Sequence, residues 1–79
     1  MPTVLQSGPY RVYFYSHDLL NEPPYVHVDR DDDSAKFWLN PVALAHNYGF
    51  GAAELRRVAR LVEEHETELL EAWYANIPK

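Results

Sequence analysis

Four histidines, His17, His27, His46 and His65, are the side chains best suited to move protons near neutral pH, because an unperturbed imidazole titrates at about 6.5. His27 alternates onto the strand face opposite Val26 and Val28, and His17 falls in the loop before that strand. A hairpin would bring the two together with Asp18 or Glu22. One group that removes a proton and another that supplies one is what phosphodiester cleavage requires, with Tyr25 or Lys36 assisting. The plainer reading, two unrelated surface histidines, is the favoured one. His65 falls in a helical apolar seam, where packing or partner contact outranks ligation. Nothing singles out His46.

Other chemical patterns are weaker still. Ser16-His17-Asp18 holds the residue types of a hydrolytic triad, but adjacent residues on one backbone cannot point at one another in the required line. Asp29-Arg30-Asp31-Asp32-Asp33 has the alternate acidic spacing of a calcium loop. Ser34 and Asn40 stand where that loop needs its Gly and its closing Glu, so a solvated turn that guards a sheet edge is the better reading. No phosphate-cradling Gly-rich loop, nucleophile elbow or zinc pattern is present. The residues call for no metal and no cofactor.

The elements that must position these groups fall into two halves, a strand-rich stretch over residues 1–41 and a helical one over 42–79. Val4-Leu5 begins the first half, and Ser7-Gly8-Pro9 turns it into the aromatic and β-branched run Tyr10 to Tyr15. His17 to Pro24 reads as a loop. Tyr25 to Val28 follows as a strand, Asp29 to Ser34 as an acidic turn, and Ala35 to Leu39 as a fourth strand. Short connections favour an antiparallel meander. Asn40 as N-cap and Pro41 at the first helical position predict a short helix over Val42–Asn47. A long helix is expected from Ala52 to Asn76, with Leu55, Val58, Val62, His65, Leu69 and Ala72 in its seam and Trp73 widening it. The expected class is therefore α+β: about four strands packed by one long C-terminal helix, with a short helix between, all in a single domain over residues 1–79.

Such a helix would be about 37 Å long, against about 17 Å for five-residue strands. The expected overhang makes Leu55, Val58, Val62, His65, Leu69 and Trp73 candidates for contact with a partner. Its charges run against the helix dipole, with Arg56, Arg57 and Arg60 early and Glu63, Glu64, Glu66, Glu68 and Glu71 late. A solvated face that tolerates the penalty is the simpler explanation, and an acidic end meeting a basic partner is the functional one. Tyr13, Tyr15, Tyr25 and Trp38 alternate onto the non-core sheet face. Stacked single-stranded bases would want a basic groove there, and only Arg11 and Lys36 supply it. Cover by protein, either the short helix or a second chain, is preferred.

Composition sets the outer limits. A chain of 79 residues without Cys has neither disulfide nor thiolate metal site to reinforce a small core. Seven basic against twelve acidic residues give −5, which argues against independent binding to nucleic acid or an anionic membrane. No apolar run is long enough for a bilayer span. The opening residues, Met1-Pro2-Thr3-Val4-Leu5-Gln6, lack the basic and apolar regions of a leader, so a cytoplasmic location is expected.

Several runs of residues resemble a family. Pro2-Thr3-Val4-Leu5, Tyr10 to Ser16, Glu22-Pro23-Pro24-Tyr25-Val26-His27-Val28, Ala35 to Val42, and the ending from Gly49-Phe50 through Leu55 to Leu69-Leu70-Glu71-Ala72-Trp73 are similar to the bacterial family called domain of unknown function 4160. The resemblance implies a small stand-alone cytoplasmic protein, often encoded beside a protein of domain of unknown function 2442, as in a toxin–antitoxin pair. It also implies a His at the position of Tyr25, forming a His-x-His pair with His27. A metal site or catalytic dyad built on that pair would be weakened here, whereas a packing pair tolerates Tyr. The leading functional expectation is a protein-interaction module whose partner is a second copy or a neighbouring gene product. A small ribonuclease-type toxin using His27 and His17, and a non-catalytic homodimeric scaffold, are the alternatives.

Overall fold

The computed structural model describes residues 3–77. Met1-Pro2 of the opening run, and the last two residues of the expected domain, lie outside the described residues. The chain forms strands β1 (Thr3–Ser7), β2 (Tyr10–Tyr13), β3 (Tyr25–Arg30), β4 (Asp33–Leu39) and β5 (Val42–Tyr48), then helices α1 (Ala52–Glu64) and α2 (Glu66–Ala75). The strands make one antiparallel sheet in the order β1-β2-β3-β4-β5. The α+β class and the meander match the expectation from alternation; the strand count is five rather than four.

Tight turns set the register. Gly8 takes a positive φ of 54° between β1 and β2, a conformation that glycine adopts without steric cost. The expected acidic turn shrinks to Asp31-Asp32, with Asp31 at φ 52°, because Asp tolerates the left-handed region that a two-residue hairpin needs. Val26 then pairs with Phe37 and Val28 with Ala35. These four join Val12, Leu39, Phe50, Val58, Val62 and Leu69 in the main core. Phe14, Leu19, Tyr25 and Trp73 form a second cluster. Glu54, in the first turn of α1, accepts from the Tyr10 hydroxyl at 2.8 Å and pairs with Arg30 at 3.0 Å. The start of that helix is thereby tied to β2 and β3.

Two expected elements are corrected. Val42–Asn47 is not a short helix but most of β5, paired along β4. The open edge of β4 offered a hydrogen-bonded ladder, and tertiary pairing outweighs the modest helix preference of an Ala-Leu-Ala run. A register shift, with Lys36 opposite His46 but Phe37 opposite Leu44, leaves Ala45 as an extra residue and hides the alternation.

The long helix is also divided. His65 leaves helical geometry at φ −111° and ψ 13°, and its Nδ1 donates to the Leu61 carbonyl at 2.9 Å. The break accounts for part of the charge layout, although Glu63 and Glu64 still close α1 at its acid-unfavourable end. Glu66 and Glu68, which oppose the dipole of one long helix, stand in the first turn of α2, where acids are favourable. It also removes the expected overhanging seam. Val58, Val62, Leu69 and Trp73 are buried against the chain's own sheet and second cluster, and Leu55 and His65 are half-buried. Four of the six side chains expected to await a partner are thus used internally. Among the described residues, no helix is long and apolar enough to cross a membrane.

Candidate functional site

Two surfaces of the sheet carry groups that could act on something else. The first is the face opposite Val26 and Phe37, centred on His27. Its ring stacks on Tyr13 at 5.3 Å and meets Tyr15 and Tyr25 edge-on at 5.4 and 5.2 Å. Strand pairing sets Tyr13 opposite His27 and His27 opposite Lys36, so cross-strand neighbours build the cluster. Most of the polar atoms around it are occupied. The Tyr13 and Ser34 hydroxyls donate to the Asp29 carboxylate at 3.0 and 2.6 Å. The Tyr25 hydroxyl donates to Asp18 and accepts from the Tyr15 backbone N–H. Lys36 pairs with Glu22 at 2.8 Å, its ammonium lying over the Tyr25 and Trp38 rings.

Burial, followed by the nearby Lys36 ammonium, lowers the His27 pKa from its ordinary value, against weaker opposition from Asp29, Asp18 and Glu22. Burial and the Asp18 hydrogen bond push the Tyr25 hydroxyl up, and burial with Asp29 does the same to Tyr13. The lowered His27 value has a consequence for stability. A group whose pKa is lower folded than unfolded gives up protons on folding, so its contribution is fully present above about pH 6.5 and is lost as the pH falls through the folded value. His27→Gln is therefore expected to flatten part of the acid-side fall in melting temperature. In an NMR titration the folded His27 resonances should move at a lower pH than those of a free imidazole. A midpoint at or above the ordinary value would contradict this.

The second surface is an edge. On one side β5 pairs with β4; among the described residues no strand pairs with its other side. Its residues, Val42-Ala43-Leu44-Ala45-His46-Asn47-Tyr48, include no Pro, Lys, Asp or Glu, which are common means of blunting an exposed edge, and the bulge at Ala45 is the one such device it carries. Leu44 and Tyr48 are large side chains left in solvent. Alongside lies a cleft of about 390 Å³ between β5 and α1, bounded by Val42 and Leu44 below and by Ala52, Leu55 and Ala59 above.

Residues 10–74 match the family described as Domain of unknown function (DUF4160). The chain belongs to this family. No curated protein matches it, and no solved structure does. In this DUF4160 chain, Tyr25 stands where the resemblance implies a histidine, and it is wholly buried between Trp73 and Trp38 with its hydroxyl held by Asp18.

The expected acid–base residues of the DUF4160 chain are gathered only in part. His27, Tyr25 and Lys36 share one patch. His17, in a single 3-10 turn, is highly exposed and stacks on the far partner, Tyr15, at 5.6 Å. Tyr15 contacts both imidazoles, so the two histidines are linked through its ring rather than by contact with each other. Tyr25 is fixed by two hydrogen bonds and Lys36 by its pair with Glu22. Among the described residues, His27 makes no ring hydrogen bond, and no group of His, Cys, Asp and Glu is placed to hold a metal ion. Of the expected partner-contact residues, Tyr15 is exposed, Trp38 half-buried and Tyr13 buried. The helix expected over Val42–Asn47, one of the two covers proposed for their face, is strand β5 instead. Sequence reasoning missed the β5 edge, because the residues that build it were assigned to that helix. The available signal was a run free of charge and proline directly after an Asn-Pro turn.

Proposed function

We propose that this DUF4160 chain is a protein-interaction domain that takes up an apolar extended segment of a partner chain along β5 and the adjoining cleft. The observation that carries the reading is the coincidence of an unpaired, uncharged edge strand with an apolar cleft beside it. A docked strand would satisfy the outward main-chain groups of β5 and insert alternate side chains over Val42 and Leu44, the usual division between affinity and specificity in strand addition. The biological setting we propose is a toxin–antitoxin-like or related two-component bacterial pair in the cytoplasm. The family resemblance supports that setting.

Sizing the purified chain alone and mixed with the product of its neighbouring gene tests the reading. Assembly in at least one case is expected, with loss on Leu44→Asp, a change at a half-exposed position that leaves the core intact. A strict monomer indifferent to that product would sink it. One observation favours a second reading: the neutral, unbonded imidazole of His27 beside Lys36 could serve as the base of a small ribonuclease-type toxin. RNA cleavage or growth arrest that survives His27→Ala would rule out that site.

A further inference from the structure

The occupant of the β5 edge can be narrowed from the face that α1 turns towards the cleft. Ala52, Arg56, Ala59 and Glu63 line it, stepping by four, three and four along one side of the helix. Arg56 and Glu63 are both exposed, carry opposite charges and lie two turns apart, about 10.5 Å along the axis. That distance prevents them from pairing with each other. Among the described residues neither has an ion partner, and the Arg60–Glu63 and Arg60–Glu64 pairs open to this helix do not form.

A face with one cation and one anion placed symmetrically about a small residue is complementary to itself when reversed. Rotation by half a turn about an axis near Ala59 places each Arg56 opposite a Glu63, twice, with Ala59 at the point of closest approach. The sheet meets the same symmetry independently. An edge strand paired antiparallel with its own copy is the isologous arrangement that a two-fold axis requires. Helix α1 lies over the β4–β5 pair. Joining two sheets edge to edge would set the two α1 helices about two strand spacings apart, roughly 9.6 Å. Packed helices lie about 8–10 Å apart. Strand pairing and helix pairing thus ask for the same separation.

We propose that a second copy of this chain fills the site. The two β5 strands pair antiparallel into one continuous sheet of ten strands, Leu44 of each chain is covered by the partner's α1, and Arg56 pairs with the partner's Glu63. The inference rests on the reading of β5 as a docking edge and names its occupant. Burial of the apolar edge supplies the affinity. The exposed ion pairs contribute little affinity and instead fix orientation, since like charges brought opposite each other disfavour the wrong alignment.

Sedimentation equilibrium on the full chain across the micromolar range should give twice the 9.2 kDa chain mass. Arg56→Glu and Glu63→Arg, each of which creates two like-charge contacts across the axis, should each raise the dimer dissociation constant about tenfold or more. The double variant restores both pairs and should return the constant to within about threefold of the parent. Leu44→Asp should give a folded monomer with an unchanged far-ultraviolet circular dichroism spectrum. A monomeric parent overturns the inference. So does a dimer whose single and double charge variants are indistinguishable, since that dimer uses another surface. A monomeric chain that still assembles with its neighbour's product, and loses that assembly on Leu44→Asp, overturns the second copy while leaving the docking edge in place. A chain that does neither overturns both.

Discussion

Trp73→Ala is expected to remove about 3–5 kcal/mol of folding stability, the range for truncating a large buried aromatic. Total stability for a chain of this length is only about 4–12 kcal/mol, so a large share is at stake. Trp73 is almost wholly buried, and its ring lies 5.0 Å from Phe14 and 5.2 Å from Tyr25. It is the fully buried side chain through which α2 enters the second cluster, with Ala72 packed beside it. With no Cys, no disulfide reinforces the docking of α2 once that contact is gone. Urea denaturation followed by circular dichroism measures the loss. Trp73→Phe, which keeps an aromatic in the site, should cost markedly less. A Trp73→Ala variant destabilised by under about 1 kcal/mol, no more than a typical point substitution, would mean that α2 is held chiefly by Leu69.

Gly49→Ala is expected to be the other severe change. Gly49 connects β5 to the start of α1 at φ 116°, and a Cβ there would come 2.5 Å from Oδ1 of Asp33. The clash is with the end of a side chain, which can turn away. The backbone conformation has no such relief, and holding an L-residue in it costs about 1–3 kcal/mol. The strain would act on a short, well-tied link. The Asn47 side-chain amide donates to the Phe50 carbonyl at 2.9 Å and accepts from the Phe50 N–H at 3.0 Å, and the Phe50 ring belongs to the main core. Both walls of the cleft are positioned through this link. Asp33→Ala combined with Gly49→Ala should recover only the part due to the clash. Full recovery in the double variant would show that the backbone angle is not limiting, and denaturant midpoints for the three variants distinguish the cases.

How much of this was legible before the structure depended on what each residue had to satisfy. The alternation of Val26 and Val28 against Tyr25 and His27, and of Ala35, Phe37 and Leu39 against Lys36 and Trp38, placed β3 and β4 on the correct faces because each has a partner strand on both sides. Alternation failed at β5. The extra residue at Ala45 sends Leu44 and His46 to opposite faces, so a period of two reads as no period at all. Asn40-Pro41 misled for a related reason: the same pair that opens a helix also suits the turn between two strands. The helix seam was legible as a stripe, but its break was not, since neither Gly nor Pro marks His65. The acids at 66 and 68 were the available clue. They appeared misplaced in one long helix and suit the start of a second.

For the candidate sites the lesson differs. Alternation correctly gathered His27, Lys36 and Tyr25 on one face. What it could not show is that Asp18, Glu22 and Asp29, drawn from the loop and from β3 itself, would occupy the polar groups around His27. The β5 edge became visible only once the strand order was known, because an edge is a property of the sheet and not of the strand.

The meander also fixes the order in which this chain can assemble. Each strand pairs with the one synthesised just before it, so every step of sheet growth closes a short loop, at a small cost in chain entropy. The contacts of Trp73 with Phe14 and Tyr25 are different in kind, because they join α2 to residues of the strand-rich half made well before it. The second cluster must therefore wait for α2, whereas the sheet can grow as the chain emerges. Until α2 arrives, the faces of Phe14 and Tyr25 that Trp73 covers are open, and the nascent chain carries an apolar patch that α2 is built to close.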